Sequence, residues 1–294
     1  MGRDPVELVT VAVTELDVRS IPIVGRDTDG VVAPPATPSV ARPWPPLRWL
    51  RSAVSQWWTV LAVLVAWQLW LGFTGFNSIV LPRPSDVVSD LVGHPGAYAG
   101  DTARTIGLAL IGVAVGMTLG FAIAVTTWAS SLAAGAIGPL VLMLRSIPIV
   151  AVIPVVARVV GYGDKIVPIV TIMLAFFPAY VMTTSGLRAA PPTAVDLMLA
   201  LGASRWTLLR RVLVPSAIPN LLVALRLCAS SAVLAAMVAE FLAGTSGLGR
   251  LFSNSRVRFD NERAWGAAVI ATALSVAFFQ IALRLERWGR ARFR

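Results

Sequence analysis

The sequence predicts an all-α membrane protein that crosses the bilayer six times. Three observations carry that expectation. The composition is 56% hydrophobic against 14% charged, with mean hydropathy +0.76, far from that of a soluble domain. The apolar residues gather into six runs long enough, at ~1.5 Å per helical residue, to approach the ~30 Å of a bilayer core. The net charge of +10 flanks those runs instead of forming one basic face, so lipid is the expected partner and nucleic acid is not. One cysteine, Cys228, and one histidine, His94, leave no basis for a disulfide framework, a metal centre or Cys/His catalysis.

Taken in order, residues 1–50 read as a cytoplasmic N-terminal extension, flexible across the proline-rich run VVAPPATPSVARPWPP from Val31 to Pro46. Asp4 and Glu7 stand where a cleavable signal would be basic. Residues 51–100 hold the first span, Trp57–Phe76, and an outer amphipathic segment. There Ser85 is placed to cap a short helix running to Gly93, with Val87, Val88, Leu91 and Val92 along one side. Residues 101–287 form a five-helix core with spans at Ala103–Trp128, Ile137–Val160, Ile166–Leu187, Ala217–Ala243 and Ala264–Leu285. Residues 288–294 are a basic cytoplasmic tail. Arg42, Arg48 and Arg51 before the first span, and Arg284, Arg287, Arg290, Arg292 and Arg294 at the last, place both termini inside. Arg250, Arg256, Arg258 and Arg263 run against that bias.

Within the core, Gly112, Gly116 and Gly120 recur every fourth residue, a small face that lets another helix approach closely. The third span contains Arg145, Pro148 and Pro154. An arginine inside a span is costly unless paired, wet or snorkelling, and prolines free backbone carbonyls that can face a cavity. Two readings stay open: a pathway lining, or a snorkelling arginine at a kinked helix. Arg226, near the inner end of the fifth span, is placed to snorkel. Glu240, near its outer end, is open to an inter-helix or capping bond and to a gate or substrate contact.

The stretch PPTAVDLMLALGASRWTLLRRVLVPSAIP, from Pro191 to Pro219, organises the rest. Pro191 and Pro192 stop the preceding helix. Thr193 has N-cap chemistry, with Asp196 at the third helical position, and Gly202 ends the helix. Ser204 caps a second helical run that ends near Pro215. Between Ala194 and Leu201 nearly every residue is apolar, yet eight residues span only ~12 Å. Too short to cross a membrane, this helix either lies on lipid or docks on a partner.

The spacing of Asp196-Leu197-Met198, Gly202 and Val212-Leu213-Val214-Pro215 resembles the EAA loop of ABC-importer permeases. Met143-Leu-Arg-Ser-Ile-Pro148, the Val-Ala-Glu run at Glu240 and Ser246-Gly-Leu-Gly249 also resemble that family. Leu81-Pro-Arg-Pro-Ser-Asp-Val87 resembles its taurine, sulfonate, nitrate and pyrimidine-precursor branch. The resemblance implies a type I importer permease fold in a bacterial plasma membrane. It implies a coupling helix made of Thr193, Val195, Asp196, Met198, Leu199, Gly202, Ala203 and Arg205, with Val195, Met198 and Leu199 filling a groove of a cytoplasmic ATP-binding subunit dimer. It implies a pathway at Arg145, Pro148, Pro154 and Glu240, a second permease copy and an extracytoplasmic solute-binding protein. No cofactor is expected on this chain; ATP-Mg belongs to the partner ATPase. The chain carries no GxxxxGK[ST] loop and no catalytic constellation, so it is not expected to be an enzyme. The alternative is an ion-gradient-driven secondary transporter, which would place acids near mid-bilayer.

Overall fold

The computed structural model describes the backbone of residues 45–74 and 81–292, with side chains from Trp58 to Phe73 and from Leu81 to Arg292. The expected flexible extension, up to residue 44, and residues 75 and 76 of the first expected span lie outside the described residues. The chain divides into two units, Met1–Trp57 and Trp58–Arg294. Among the described residues all regular structure is helical.

Eleven helices are described: α1 (Pro45–Thr74), α2 (Pro84–Gly93), α3 (Pro95–Ala129), α4 (Ser131–Ser146), α5 (Ile149–Val160), α6 (Ile166–Arg188), α7 (Pro192–Ala200), α8 (Arg205–Leu208), α9 (Val214–Ala243), α10 (Leu248–Val257) and α11 (Asn261–Arg292). Four helical runs are long and apolar enough to cross a membrane: α3, α6, Arg205–Ala243 and α11. The described apolar part of α1, Trp58–Phe73, is shorter.

The third expected span is not one helix. Its two halves, α4 and α5, are bent by 103° at the break between Ser146 and Ile149. Pro148 offers no N–H and disfavours helical backbone at the residue before it. Ile147 (ψ 121°) and Pro148 (ψ 117°) are accordingly both extended. Six expected spans therefore become four continuous ones, one broken pair and α1.

Two expected helix boundaries also change. Ser85 does not cap α2, which starts at Pro84 with Arg83 as N-cap; the Ser85 hydroxyl bonds to Asp86 instead. Only Val87 on that helix is buried, while Val88 and Val92 are exposed. The run after Ser204 does not end at Pro215. It passes through a π-helical turn, Leu209–Leu213, and continues as α9. Proline cannot donate to the carbonyl four residues back, and a wider turn accommodates that loss.

Packing follows the small residues. Gly112, Gly116 and Gly120 lie against α6, where a Cβ at Gly116 would meet the Ile172 carbonyl at 2.7 Å and one at Gly120 the Phe176 carbonyl at 2.6 Å. The rising partner numbers make α3 and α6 parallel. α9 buries mostly alanine, including Ala224, Ala232, Ala236 and Ala239, against its neighbours. Such seams hold helices together in lipid, where contact and hydrogen bonding replace the hydrophobic drive. Arg226 does not simply snorkel: it pairs with the buried Glu286 of α11 at 3.1 Å, and Arg290 pairs with the same carboxylate at 2.6 Å. Leu222 lies against Gly289 as Arg226 does against Glu286, so the partner numbers fall and α9 and α11 run antiparallel.

Candidate functional site

Three groups of residues stand out, one at each end of the helix bundle and one midway.

At the end where α6 finishes, Pro191 is the N-cap of α7 and Pro192 its first residue. Proline is well suited to that first position, since its missing N–H would have no helical partner. Thr193 is therefore one residue inside the helix and makes no capping bond, and Asp196 lies beyond the first turn. The helix closes in a Schellman motif. Gly202, at φ +73°, donates to Leu199 and Ala203 donates to Met198, both at 3.0 Å. Ser204 then caps α8 by accepting from the Thr207 N–H at 3.2 Å. A short helix between two fixed turns results.

Its faces differ. Val195 and Met198 are half-buried against a cluster of Leu187, Leu208, Leu209, Leu213 and Ala217. Leu197, Leu199, Leu201 and Trp206 are 55–73% exposed. Two of the three side chains expected to fill a partner's groove thus pack on the chain itself. Thr193, Asp196 and Arg205 are exposed, and Ala203 is half-buried. Leu197, Leu201 and Trp206 went unassigned in the sequence, although Thr193 and Asp196, three residues apart, mark the solvent side of α7 that Leu197 shares.

Midway, the α4–α5 break leaves a cavity of about 340 Å³ whose walls include Arg145, Ile147, Met173, Phe176 and Phe177. The Arg145 guanidinium stands over the Phe177 ring, 5.2 Å from its centre. Pro148 makes the break, and Pro154 is exposed within α5.

At the opposite end, a polar clasp joins α3, the α5–α6 turn, α9 and the start of α10. Glu240 is fully buried. The Thr105 hydroxyl donates to its carboxylate, lying 2.8 and 2.9 Å from the two oxygens, and the Gly249 N–H donates at 2.9 Å. Thr105 in turn accepts from the Leu248 N–H at 2.9 Å, and Asp101 accepts from Gly247 at 2.8 Å. Gly247, at φ +95°, passes so close to the Glu240 carboxylate that no Cβ would fit. Of the readings open for Glu240, the structure shows the inter-helix bond. Beside it, Asp164 accepts from Ser246 Oγ (2.7 Å), Thr245 Oγ1 (2.8 Å), both their N–H groups (3.2 Å) and Arg104 Nη2 (2.9 Å). Burial works against its ionisation, but hydrogen bonds from Ser246, Thr245 and Arg104 outweigh it and hold the carboxyl well below the usual range. The sequence marked Asp164 only as part of a turn and passed over Thr105 and Asp101. Thr105 closes the polar stretch Asp101-Thr-Ala-Arg-Thr105 ahead of an apolar run, and nothing local in it reports a partner on α9.

Among the described residues no group of His, Cys, Asp and Glu could hold a metal. The family model for the binding-protein-dependent transport system inner membrane component matches residues 112–294. The chain belongs to that family. This permease is similar to the formylaminopyrimidine transport permease ThiX of Halalkalibacterium halodurans, 27% identical over 77% of this chain and 90% of that protein. It is also similar to the riboflavin transport system permease RibX of Chloroflexus aurantiacus (29% identical; 78% of this chain, 86% of that protein). A third relative, the putative aliphatic sulfonates transport permease SsuC of Bacillus subtilis, is 28% identical over 77% and 83%. Among solved structures, the inward-facing MetNI methionine ABC transporter aligns with TM-score 0.55 at 19% identity, over 63% of this permease and 93% of that chain. A bacterial ABC transporter that imports alginate aligns with TM-score 0.55 at 13% identity, over 81% and 98%. These two share the fold. The permease is a multi-pass transport subunit of the inner membrane, not an enzyme.

Proposed function

We propose that this permease forms the translocation pathway of an ATP-driven importer and couples it to a separate cytoplasmic ATPase dimer through α7. The observation that carries the reading is the two-sided α7. Val195 and Met198 root it between the end of α6 and the start of the run through α8 into α9, while Leu197, Leu199, Leu201 and Trp206 are left uncovered. An apolar face of that size on a helix too short to cross the bilayer needs a partner surface. ATP-Mg sits on the partner; closure of the ATPase dimer moves α7, and hydrolysis resets it. A second copy of the permease completes the pathway, and an extracytoplasmic solute-binding protein delivers the solute, as the alginate transporter solved with a periplasmic protein illustrates for its own system. Both termini are cytoplasmic, on the side of α7. The solute is a small anionic or polar nutrient; the three relatives are named for a formylaminopyrimidine, riboflavin and aliphatic sulfonates. Pro148 and Pro154 line the pathway together with Arg145.

The test is co-purification of tagged wild type and a Leu197→Arg, Leu199→Arg variant, scored for a bound ATPase subunit and ATP turnover. Both leucines are exposed, so the variant is expected to insert and fold. Wild type should retain the ATPase and the variant should lose it. If wild type brings down no ATPase, the importer reading fails and a gradient-driven carrier takes its place.

A further inference from the structure

We infer that Arg145 is the anion-selecting subsite of the pathway, holding the sulfonate, phosphate or carboxylate group of a passing solute at mid-depth of the membrane. This rests on the proposal that the chain forms the pathway and goes beyond it by assigning the charge filter to one side chain.

Depth comes first. Phe177, under the Arg145 guanidinium, is eleven residues from each end of α6, which runs from Ile166 to Arg188. At ~1.5 Å per residue that is ~16 Å from either end, the centre of a ~30 Å core and beyond an arginine's reach to either interface. The snorkelling reading therefore fails. Arg145 is exposed and forms no ion pair among the described residues. A bare guanidinium at that depth faces water or an anion, because hydrocarbon there is too costly.

A second permease copy offers no acid at that depth among the described residues. The acids of the spanning helices and their connecting segments lie near the two ends of the bundle: Asp101, Asp164 and Glu240 in the clasp, Asp260 and Glu262 at the start of α11, Asp196 on α7, and Glu286 with Arg226 and Arg290. The counter-charge at mid-depth therefore comes from the solute. Next to the guanidinium is a cavity of about 340 Å³, walled by Ile147, Met173, Phe176 and Phe177, large enough for a small organic anion. Its apolar walls offer a solute's body a surface while Arg145 takes the charged end. Phe177, holding the guanidinium from below, positions it.

The probe that tests this is itself a sulfonate. In the full chain, in membranes, Cys228→Ser removes the native thiol, and Ile147→Cys or Met173→Cys places one on the cavity wall. The thiol is then treated with a methanethiosulfonate carrying either an ethylsulfonate or an ethyltrimethylammonium group. With each rate divided by that reagent's rate with a small free thiol in water, the anionic reagent should be favoured about tenfold over the cationic one, and Arg145→Gln should bring this normalised ratio near one while Arg145→Lys largely keeps it. Thiols that react with neither reagent would place the cavity in lipid and overturn the proposal. A ratio indifferent to Arg145→Gln would overturn it equally. ATPase co-purification, scored on the same membranes, separates this failure from failure of the importer reading.

Discussion

Asp164 occupies a turn, yet it gathers donors from α3 and from the α9–α10 connection. Its depressed pKa fixes the sign of a pH dependence. A carboxylate whose folded value lies below its unfolded one, about 3.9 for aspartate, contributes its stabilisation in full above that value and loses it as pH falls through the folded one. Asp164→Asn keeps one acceptor oxygen but turns an amide toward hydroxyls and N–H groups that need acceptors. The variant is expected to unfold more readily than wild type by about 1–2 kcal/mol, carried by the Thr245 and Ser246 donors. The Arg104 pair adds little, since that guanidinium is 55% exposed and screened. Thermal unfolding in detergent should show a wild-type advantage that is constant from about pH 8 to about pH 5 and shrinks only below about pH 4. An advantage that fades already between pH 7 and 5 would place the effect on another group.

At the scale of elements, the α3–α6 seam is the part of the fold that was most legible. Three glycines at a spacing of four declared a close approach, and a Cβ at Gly116 would indeed meet backbone, which cannot step aside as a side chain can. Gly116→Leu should therefore cost about 3 kcal/mol or more and lower the yield of folded protein in membranes, whereas Gly107→Leu, where a Cβ meets open space, should be tolerated. Equal yields for the two would refute the seam. Other elements were legible only in part. Pro148 announced a break, but its 103° angle depends on Ile147 also leaving the helix. The Glu240–Thr105 bond joins residues 135 apart, and no local pattern reports a partner at that distance. On α7 the far end was legible and the start was not, since Pro191 and not Thr193 takes the cap position. Gly202 and Ser204 have the chemistry of a stop and a start, and Thr193 and Asp196 mark a solvent side that Leu197 shares and Met198 does not.

At the scale of the molecule, the two ends of the bundle are built for different work. The clasp fixes α3, α6, α9 and α10 to one another through buried and half-buried polar bonds, so at that end these helices move as one body. At the other end the same α6 and α9, with the π-helical turn that leads into α9, carry the Leu187, Leu209, Leu213 and Ala217 cluster on which Val195 and Met198 sit. A push on α7 therefore has a stiff route to the far end only while α7 stays rigidly joined to α8. That joint is short: the Schellman bonds of Gly202 and Ala203, then the Ser204 cap. Inserting two glycines between Ala203 and Ser204 leaves the exposed face of α7 unchanged and replaces the joint with flexible chain. The ATPase should still co-purify and still hydrolyse ATP, while the solute moved per ATP in proteoliposomes falls several-fold. A ratio equal to wild type would mean that force passes through the Val195 and Met198 packing alone. In that case Met198→Ala, which thins that packing without touching the joint, becomes the variant that uncouples.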